Sequence, residues 1–293
     1  MVIVNPALET IFRKQRTLSD IVSFSGIGIH TGKEVGLRFI PAKEGTGIIF
    51  KRIDLPGHPV IPATVEYVQD TSRSTTIGIK DVRIHTVEHV LSAIKAYQID
   101  NLCIEITAIE PPVGNGSSDV FVEMIEKAGI CEQSHFCPIV RLQNPVYLSD
   151  GDIHLVALPY DGYRVSYTLS YPESPILQGQ FHSVLVTKEN FKKEIASCRT
   201  FSLYNEITAL MERGLIKGGS LDNAVVIKDD VVLSKGGLYF PDEMARHKIL
   251  DLIGDLSLIG FDLHIHVIAI RSGHASNFAF AKQLLNHITM ESH

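Results

Sequence analysis

The stretch Pro241–Gly260, PDEMARHKILDLIGDLSLIG, constrains this chain more than any other. Proline in a first helical turn sacrifices no hydrogen bond, and Asp242 and Glu243 suit the positive end of a helix dipole. A helix is therefore predicted from Pro241, with Gly260 as its stop. At about 100° per residue, Ile249, Leu250, Leu252, Ile253, Leu256 and Ile259 take up most of the circumference, and His247, Lys248, Asp251 and Asp255 share the one polar stripe. A helix that is apolar nearly all round is buried, and charges on it must be paired or bound to metal. His247 and Asp251, four apart on adjacent turns, can grip one divalent ion. The bland reading of the same spacing is an ion pair or a capped histidine. A third ligand from elsewhere would decide between them.

The chain has room for such a core. Its 293 residues suit two domains of ordinary size or one large one, and 45% hydrophobic with 20% charged residues is the composition of a globular protein. The net charge of −6 argues against a sequence-independent grip on nucleic acid, which needs a basic surface. Cys103, Cys131, Cys137 and Cys198 show no C-x2-C spacing, so neither a disulfide framework nor a zinc ribbon is suggested. No apolar run approaches the roughly 20 residues of a membrane span, and no secretory leader is recognisable, so a cytoplasmic location is expected.

Residues 1–15 read as an N-terminal extension. From Arg16, short alternating runs broken by glycine and proline predict a small sheet. Asp70–Lys80, DTSRSTTIGIK, reads as a polar loop and edge strand. HTVEHVLSAIKAY is a helix with Thr86 offered as its N-cap and with Glu88 and His89 near its first turn. Adjacent helical side chains diverge by about 100°, so these two cannot both hold one ion squarely; one could bind it while the other works on its water. A strand, NLCIEITAIE, and a second helix closed by Gly129 complete a first domain, 16–130. Residues 131–138, CEQSHFCP, lack periodicity and read as a linker to a second domain, 139–293.

That second part repeats the first part's order of short strand, glycine turn, strand, proline stop, strand, which reads as an internal duplication. The expected fold is α+β: two related two-layer domains, each a small sheet packed with helices, with the active site between them. A β-α-β excursion at about 200–227 is either plain core or the wall of a pocket for a greasy ligand. His274, in a glycine turn before the last helix, is loop-borne, as catalytic residues often are. His264 and His266 read as packing residues on a strand.

Five motifs lie in order along the chain: GIGIHTGK near the start, TVEH at Thr86–His89, CRTF at Cys198–Phe201, ARHKILDLIGDL at Ala245–Leu256 and SGHASN at Ser272–Asn277. Together they resemble the UDP-3-O-acyl-N-acetylglucosamine deacetylases, zinc enzymes of lipid A synthesis, in the form found in chlamydia-like bacteria. The resemblance runs from about Gln15 to Leu285. It implies a Zn2+ ion held by His89, His247 and Asp251, with water completing the site. It implies Glu88 as general base, His274 as a protonated histidine that stabilises the oxyanion and protonates the departing amine, and Asp255 as its partner. Thr200 matches an oxyanion donor, Lys248 a substrate-contacting lysine, and Phe201 a ring lying along the sugar. The excursion matches an insert that lines a passage for the hydroxyacyl chain.

Three positions depart from the family pattern. Ile153 stands where a lysine associated with the nucleotide is frequent, Ser74 replaces a cysteine near the metal, and Asn115 replaces an aspartate. The expected function is zinc-dependent hydrolysis of the N-acetyl group of UDP-3-O-(3-hydroxyacyl)-N-acetylglucosamine, with the UDP-sugar as partner, no nucleic acid, no transmembrane segment, and a monomeric enzyme. The alternatives are a zinc amidohydrolase acting on another N-acyl sugar and a non-catalytic α+β binding module.

Overall fold

In the computed structural model the described residues are 8–289 except 173 and 230. The chain begins with β1 (Glu9–Leu18), β2 (Val22–Ile27), β3 (Glu34–Pro41), β4 (Ile48–Arg52) and β5 (Val60–Pro62). A short ladder of β6 (Val68–Asp70), β7 (Thr76–Ile79) and β8 (Val82–Ile84) leads to helix α1 (Glu88–Ala96), strand β9 (Leu102–Ile106) and helix α2 (Asp119–Ala128). The long β10 (Ile130–Arg141) is followed by β11 (Val146–Asp150), β12 (Ile153–Pro159), β13 (Tyr163–Leu169) and β14 (Gln180–Leu185). A helical turn, α3 (Lys188–Asn190), runs on as a π-helix, Phe191–Ile195. The excursion consists of β15 (Phe201–Leu203), α4 (Tyr204–Glu212), β16 (Val225–Lys228) and β17 (Val231–Leu233). Helix α5 (Glu243–Ser257), β18 (Asp262–Ile270) and α6 (His274–Ile288) close the chain.

The duplication is visible in the strand pairing. In the first sheet β2 pairs antiparallel with β3, β3 antiparallel with β9, β9 parallel with β4 and β4 antiparallel with β5. The second sheet repeats the same order and senses with β11, β12, β18, β13 and β14. In each half one helix precedes the last strand of this set and another follows it, so α1 corresponds to α5 and α2 to α6. Helices α1 and α5 pack directly against each other. Ile249, Leu250, Leu252 and Ile253 of α5 are fully buried, each contributing about 1.5–3 kcal/mol of transfer free energy. The greasy circumference read from the sequence is thus met by protein on nearly every side.

Two expectations change. The stretch expected as an N-terminal extension, residues 1–15, is strand from Glu9 onward, and residues 131–138, expected as a linker, lie within β10. Strands β1 and β10 pair with each other, and β10 joins β18, so both belong to the second sheet. Periodicity did not reveal β10 because much of it, from Cys131 to Phe136, is exposed or half-buried on both faces of the ribbon. Residues 1–7 of the expected extension lie outside the described residues.

Charge holds this ribbon to the helices. Arg13 donates to Asp262 Oδ2 (2.7 Å) and, through both terminal nitrogens, to Asp100 (2.7 and 2.8 Å), while Lys95 donates to Asp262 Oδ1 at 2.6 Å. Burial alone would raise the Asp262 carboxyl, but Lys95 and Arg13 outweigh it and hold its pKa at about 2.

Candidate active site

The site is assembled where α1 meets α5. Thr86, the expected N-cap, instead adopts φ +56°, a left-handed conformation rarely taken by a β-branched residue. The cap position falls to Val87, whose N–H donates to the Thr75 carbonyl at 3.2 Å. This turn brings Glu88 and His89 into the first turn of α1, both buried. The hydroxyls of Ser92 and Ser118 lie within hydrogen-bond reach of the His89 carbonyl, at 2.9 and 2.8 Å. Glu88 accepts from the Thr75 N–H at 3.1 Å, and burial pushes its carboxyl above the ordinary carboxylate range.

On α5, His247 Nδ1 lies 3.0 Å from the carbonyl of Cys198. A carbonyl only accepts, so Nδ1 carries the proton and Nε2 presents its lone pair to the site. Burial lowers the pKa of this imidazole to about 4, which keeps it neutral. The carbonyl is itself fixed by a strut. Arg199, on the next residue, donates from Nε to Glu243 Oε1 at 2.8 Å, and its own N–H reaches the same oxygen at 3.1 Å. Both side chains are almost wholly buried. Lys248 donates to Asp251 Oδ2 at 2.9 Å. Burial would raise the Asp251 carboxyl, but His247 and Lys248 hold it well below its usual range.

His89, His247 and Asp251 converge. Asp251 Oδ1 stands 3.6 Å from His89 Nε2 and 3.3 Å from His247 Nε2, and the three ligand atoms lie within 4.8 Å of one another. Two ligands about 2.0–2.1 Å from a tetrahedral ion are themselves about 3.4 Å apart, so the set fits a divalent ion with a fourth position open. A neutral, oriented imidazole and an ionised carboxylate are the donor chemistry such an ion requires.

Opposite the carboxylates lies His274, the first residue of α6, with Gly273 N–H bonded to Ser276 Oγ just before it (2.9 Å). Its Nδ1 is 3.0 Å from Asp255 Oδ2 and its Nε2 is 3.8 Å from Glu88 Oε1. Burial would lower its pKa, but Asp255 and Glu88 overcome this and raise it to about 9. An imidazolium therefore faces a buried carboxyl group.

Glu88, His89, His247, Lys248, Asp251 and His274 line a cavity of about 850 Å3. Thr200 and Phe201 form part of its wall, and Thr200 N–H donates to the Gly116 carbonyl at 2.8 Å. The Phe201 ring centroid is 6.3 Å from that of His247 and 5.7 Å from Lys248 Nζ. Leu210, Met211, Leu215, Ile216 and Val226 of the excursion give the cavity an apolar wall. The loop after α4 is seated on the GIGIHTGK turn: Gly218 N–H donates to the Ile29 carbonyl at 3.0 Å, and a Cβ on Gly218 would stand 2.2 Å from the Gly28 oxygen.

The expected site residues thus share one cavity or its immediate surroundings, and the structure adds others. Thr75 touches both Glu88 and Asp255. Arg271 lines the cavity beside Ile153, with φ +55°. Arg271 carries no sequence signal beyond its place next to SGHASN, and Thr75 none beyond a run of small hydroxyl residues. Ser74 also lines the cavity. Asn115 acquires a physical account: its Oδ1 accepts from Ser117 Oγ (2.6 Å), and its amide lies 3.5 Å from Asp119 Oδ2. Burial already raises the Asp119 carboxyl, and an aspartate at 115 would set a second negative charge beside it.

Comparison with known proteins agrees over nearly the whole chain. Residues 15–286 match the family described as UDP-3-O-acyl N-acetylglycosamine deacetylase. The UDP-3-O-acyl-N-acetylglucosamine deacetylase of Chlamydia caviae is 52% identical over 273 residues, covering 93% of this chain and 97% of its own. Its namesake in Chlamydia felis is 51% identical over 276 residues, covering 94% and 98%. That of Chlamydia pneumoniae is 50% identical over 279 residues, covering 95% and 99%. On the extent of the match and the level of identity, the chain belongs to the UDP-3-O-acyl-N-acetylglucosamine deacetylase family.

Proposed function

We propose that this protein hydrolyses the N-acetyl group of UDP-3-O-(3-hydroxyacyl)-N-acetylglucosamine to acetate and a free 2-amine, the committed step of lipid A synthesis. The observation that carries this reading is the convergence of His89, His247 and Asp251 with Glu88 and His274 at one cavity that also has an apolar wall. The metal we assign to the three ligands is zinc, which when bound polarises a carbonyl and acidifies water.

The protein's own groups then divide the work. Glu88, buried and with a raised pKa, takes the proton of the attacking water. His274, held protonated beside Asp255, faces the oxyanion and gives its proton to the departing amine. Thr200 supplies a hydroxyl to the same oxyanion. Lys248 has a second role beyond its bond to Asp251, contacting the substrate, and Phe201 lies along the sugar. The apolar wall of the excursion takes the acyl chain. With Ile153 in place of a lysine, Arg271 is the cation we assign to the diphosphate.

The same reading makes the protein a cytoplasmic monomer of two domains, with the expected boundaries of 16–130 and 139–293 adjusted so that β1 and β10 go with the second sheet. No described helix is long and apolar enough to cross a membrane. The test is acetate release from the acylated UDP-sugar beside UDP-N-acetylglucosamine without the acyl chain. The first should be turned over, with activity lost on chelation and restored by Zn2+. No release from the acylated sugar, or equal release from both, would overturn the assignment.

A further inference from the structure

Thr75 ends the polar loop before β7 and is 1% exposed, yet no hydrophobic role accounts for its burial. Three of its polar groups are engaged by the site. Its N–H donates to Glu88 Oε2 (3.1 Å), its carbonyl accepts from the Val87 N–H (3.2 Å), and its hydroxyl donates to Asp255 Oδ1. The hydroxyl oxygen also lies 3.5 Å from His274 Nδ1.

Asp255 has three donors: Thr75 on Oδ1, and His274 Nδ1 (3.0 Å) and Asn277 Nδ2 (2.9 Å) on Oδ2. His274 and Asn277 both belong to α6, so these two fix the carboxylate only relative to its own half of the chain. Thr75 is the donor that comes from the first half, and it is also the residue that holds Glu88. A carboxylate pinned on one oxygen alone can pivot about its last torsion, and the imidazole bonded to it pivots too.

We propose that Thr75 is a positioning residue, which sets the distance and angle between Glu88 and the Asp255–His274 pair across the two halves of the chain. The proposal rests on the assignment of Glu88 and His274 as the groups that move protons in the reaction. Both must reach the same reacting atoms, and an error in their relative placement raises the barrier without weakening substrate binding.

The test is a pair of variants, each loaded with zinc. Thr75→Val keeps size and β-branching but removes the hydroxyl, and Thr75→Ser keeps the hydroxyl. In Thr75→Val, kcat should fall about 10- to 100-fold while KM stays within about two-fold and zinc content is unchanged. Thr75→Ser should recover kcat to within about three-fold of the parent. A readout independent of turnover is the proton resonance of His274 Nδ1–H in metal-free protein, assigned by its loss in His274→Gln. It should move in Thr75→Val and hold in Thr75→Ser. If the parent shows no deacetylase activity, the proposed reaction fails while the resonance still decides whether Thr75 aligns the pair. An unmoved resonance in Thr75→Val, or equal loss of kcat in both variants, would overturn the proposal.

Discussion

Gly254 of α5 lies so close to Glu88 of α1 that a Cβ on the glycine would stand 2.1 Å from the Glu88 carbonyl oxygen. The distance between these helices sets the ligand triangle, because His89 rides on one and His247 and Asp251 on the other. Gly254→Ala must part them. In a helix interior alanine is ordinarily favoured over glycine by about 0.5–1 kcal/mol, so the expected sign is reversed here. A loss of about 1–3 kcal/mol in thermal or denaturant unfolding is expected, together with weaker zinc binding in competition with a chelator. A stabilised variant that binds zinc as tightly as the parent would show that the helices do not need this approach.

Removing a proposed ligand and removing the proposed base should have separable effects. His89→Ala is expected to lose bound zinc and activity together. Glu88→Ala should keep about one zinc per chain and lose about 100- to 10,000-fold in kcat. Metal analysis of the purified variants beside their turnover checks both, and full activity without Glu88 would refute its role.

The pH profile should carry the mark of His274. In the proposed reaction it acts in its protonated form, and Asp255 and Glu88 raise its pKa to about 9, so kcat/KM should fall as pH rises through that value. Asp255 is the largest of the charges that raise it, so Asp255→Asn should move the alkaline limb to lower pH and reduce kcat at neutrality. An alkaline limb unmoved in the variant would assign it to another group.

Asp262 gives a prediction about stability. Its folded pKa, about 2, lies below the ordinary 3.8, so its contribution is complete above pH about 4 and is lost as pH falls through 2. The shift corresponds to about 2 kcal/mol. Asp262→Asn leaves Arg13 and Lys95 without this partner and should destabilise by about 3–5 kcal/mol at neutral pH, with a flatter dependence between pH 4 and 2. Urea unfolding across that range measures both effects.

The elements that could be read from the chain were those whose instructions are local. The α5 stripe, the α1 face and the repeated strand pattern follow from periodicity, and the convergence of His247 and Asp251 on α5 follows from spacing. Thr75 was hidden in a run of small hydroxyl residues because its three bonds go to Glu88, Val87 and Asp255, and the last lies 180 residues away. The Cys198 carbonyl that orients His247 could not be seen at all, since a backbone oxygen has no letter in a sequence. Residues 131–138 read as a linker because exposure on both faces from Cys131 to Phe136 removes the alternation by which strands are recognised.

The attachment of β1 to the second sheet bears on the order of events at the ribosome. Arg13 is made 249 residues ahead of its partner Asp262. At about 5–20 residues per second, the interval is on the order of 10–50 seconds. Every strand of the first sheet is complete by Ile106, long before that, so this sheet can form while β1 still waits with its edge unpaired. Until β10 emerges to pair with it, β1 would thus stay open to a chaperone or to a neighbouring nascent chain, and the Arg13–Asp262 bond that locks the ribbon would form only once β18 follows.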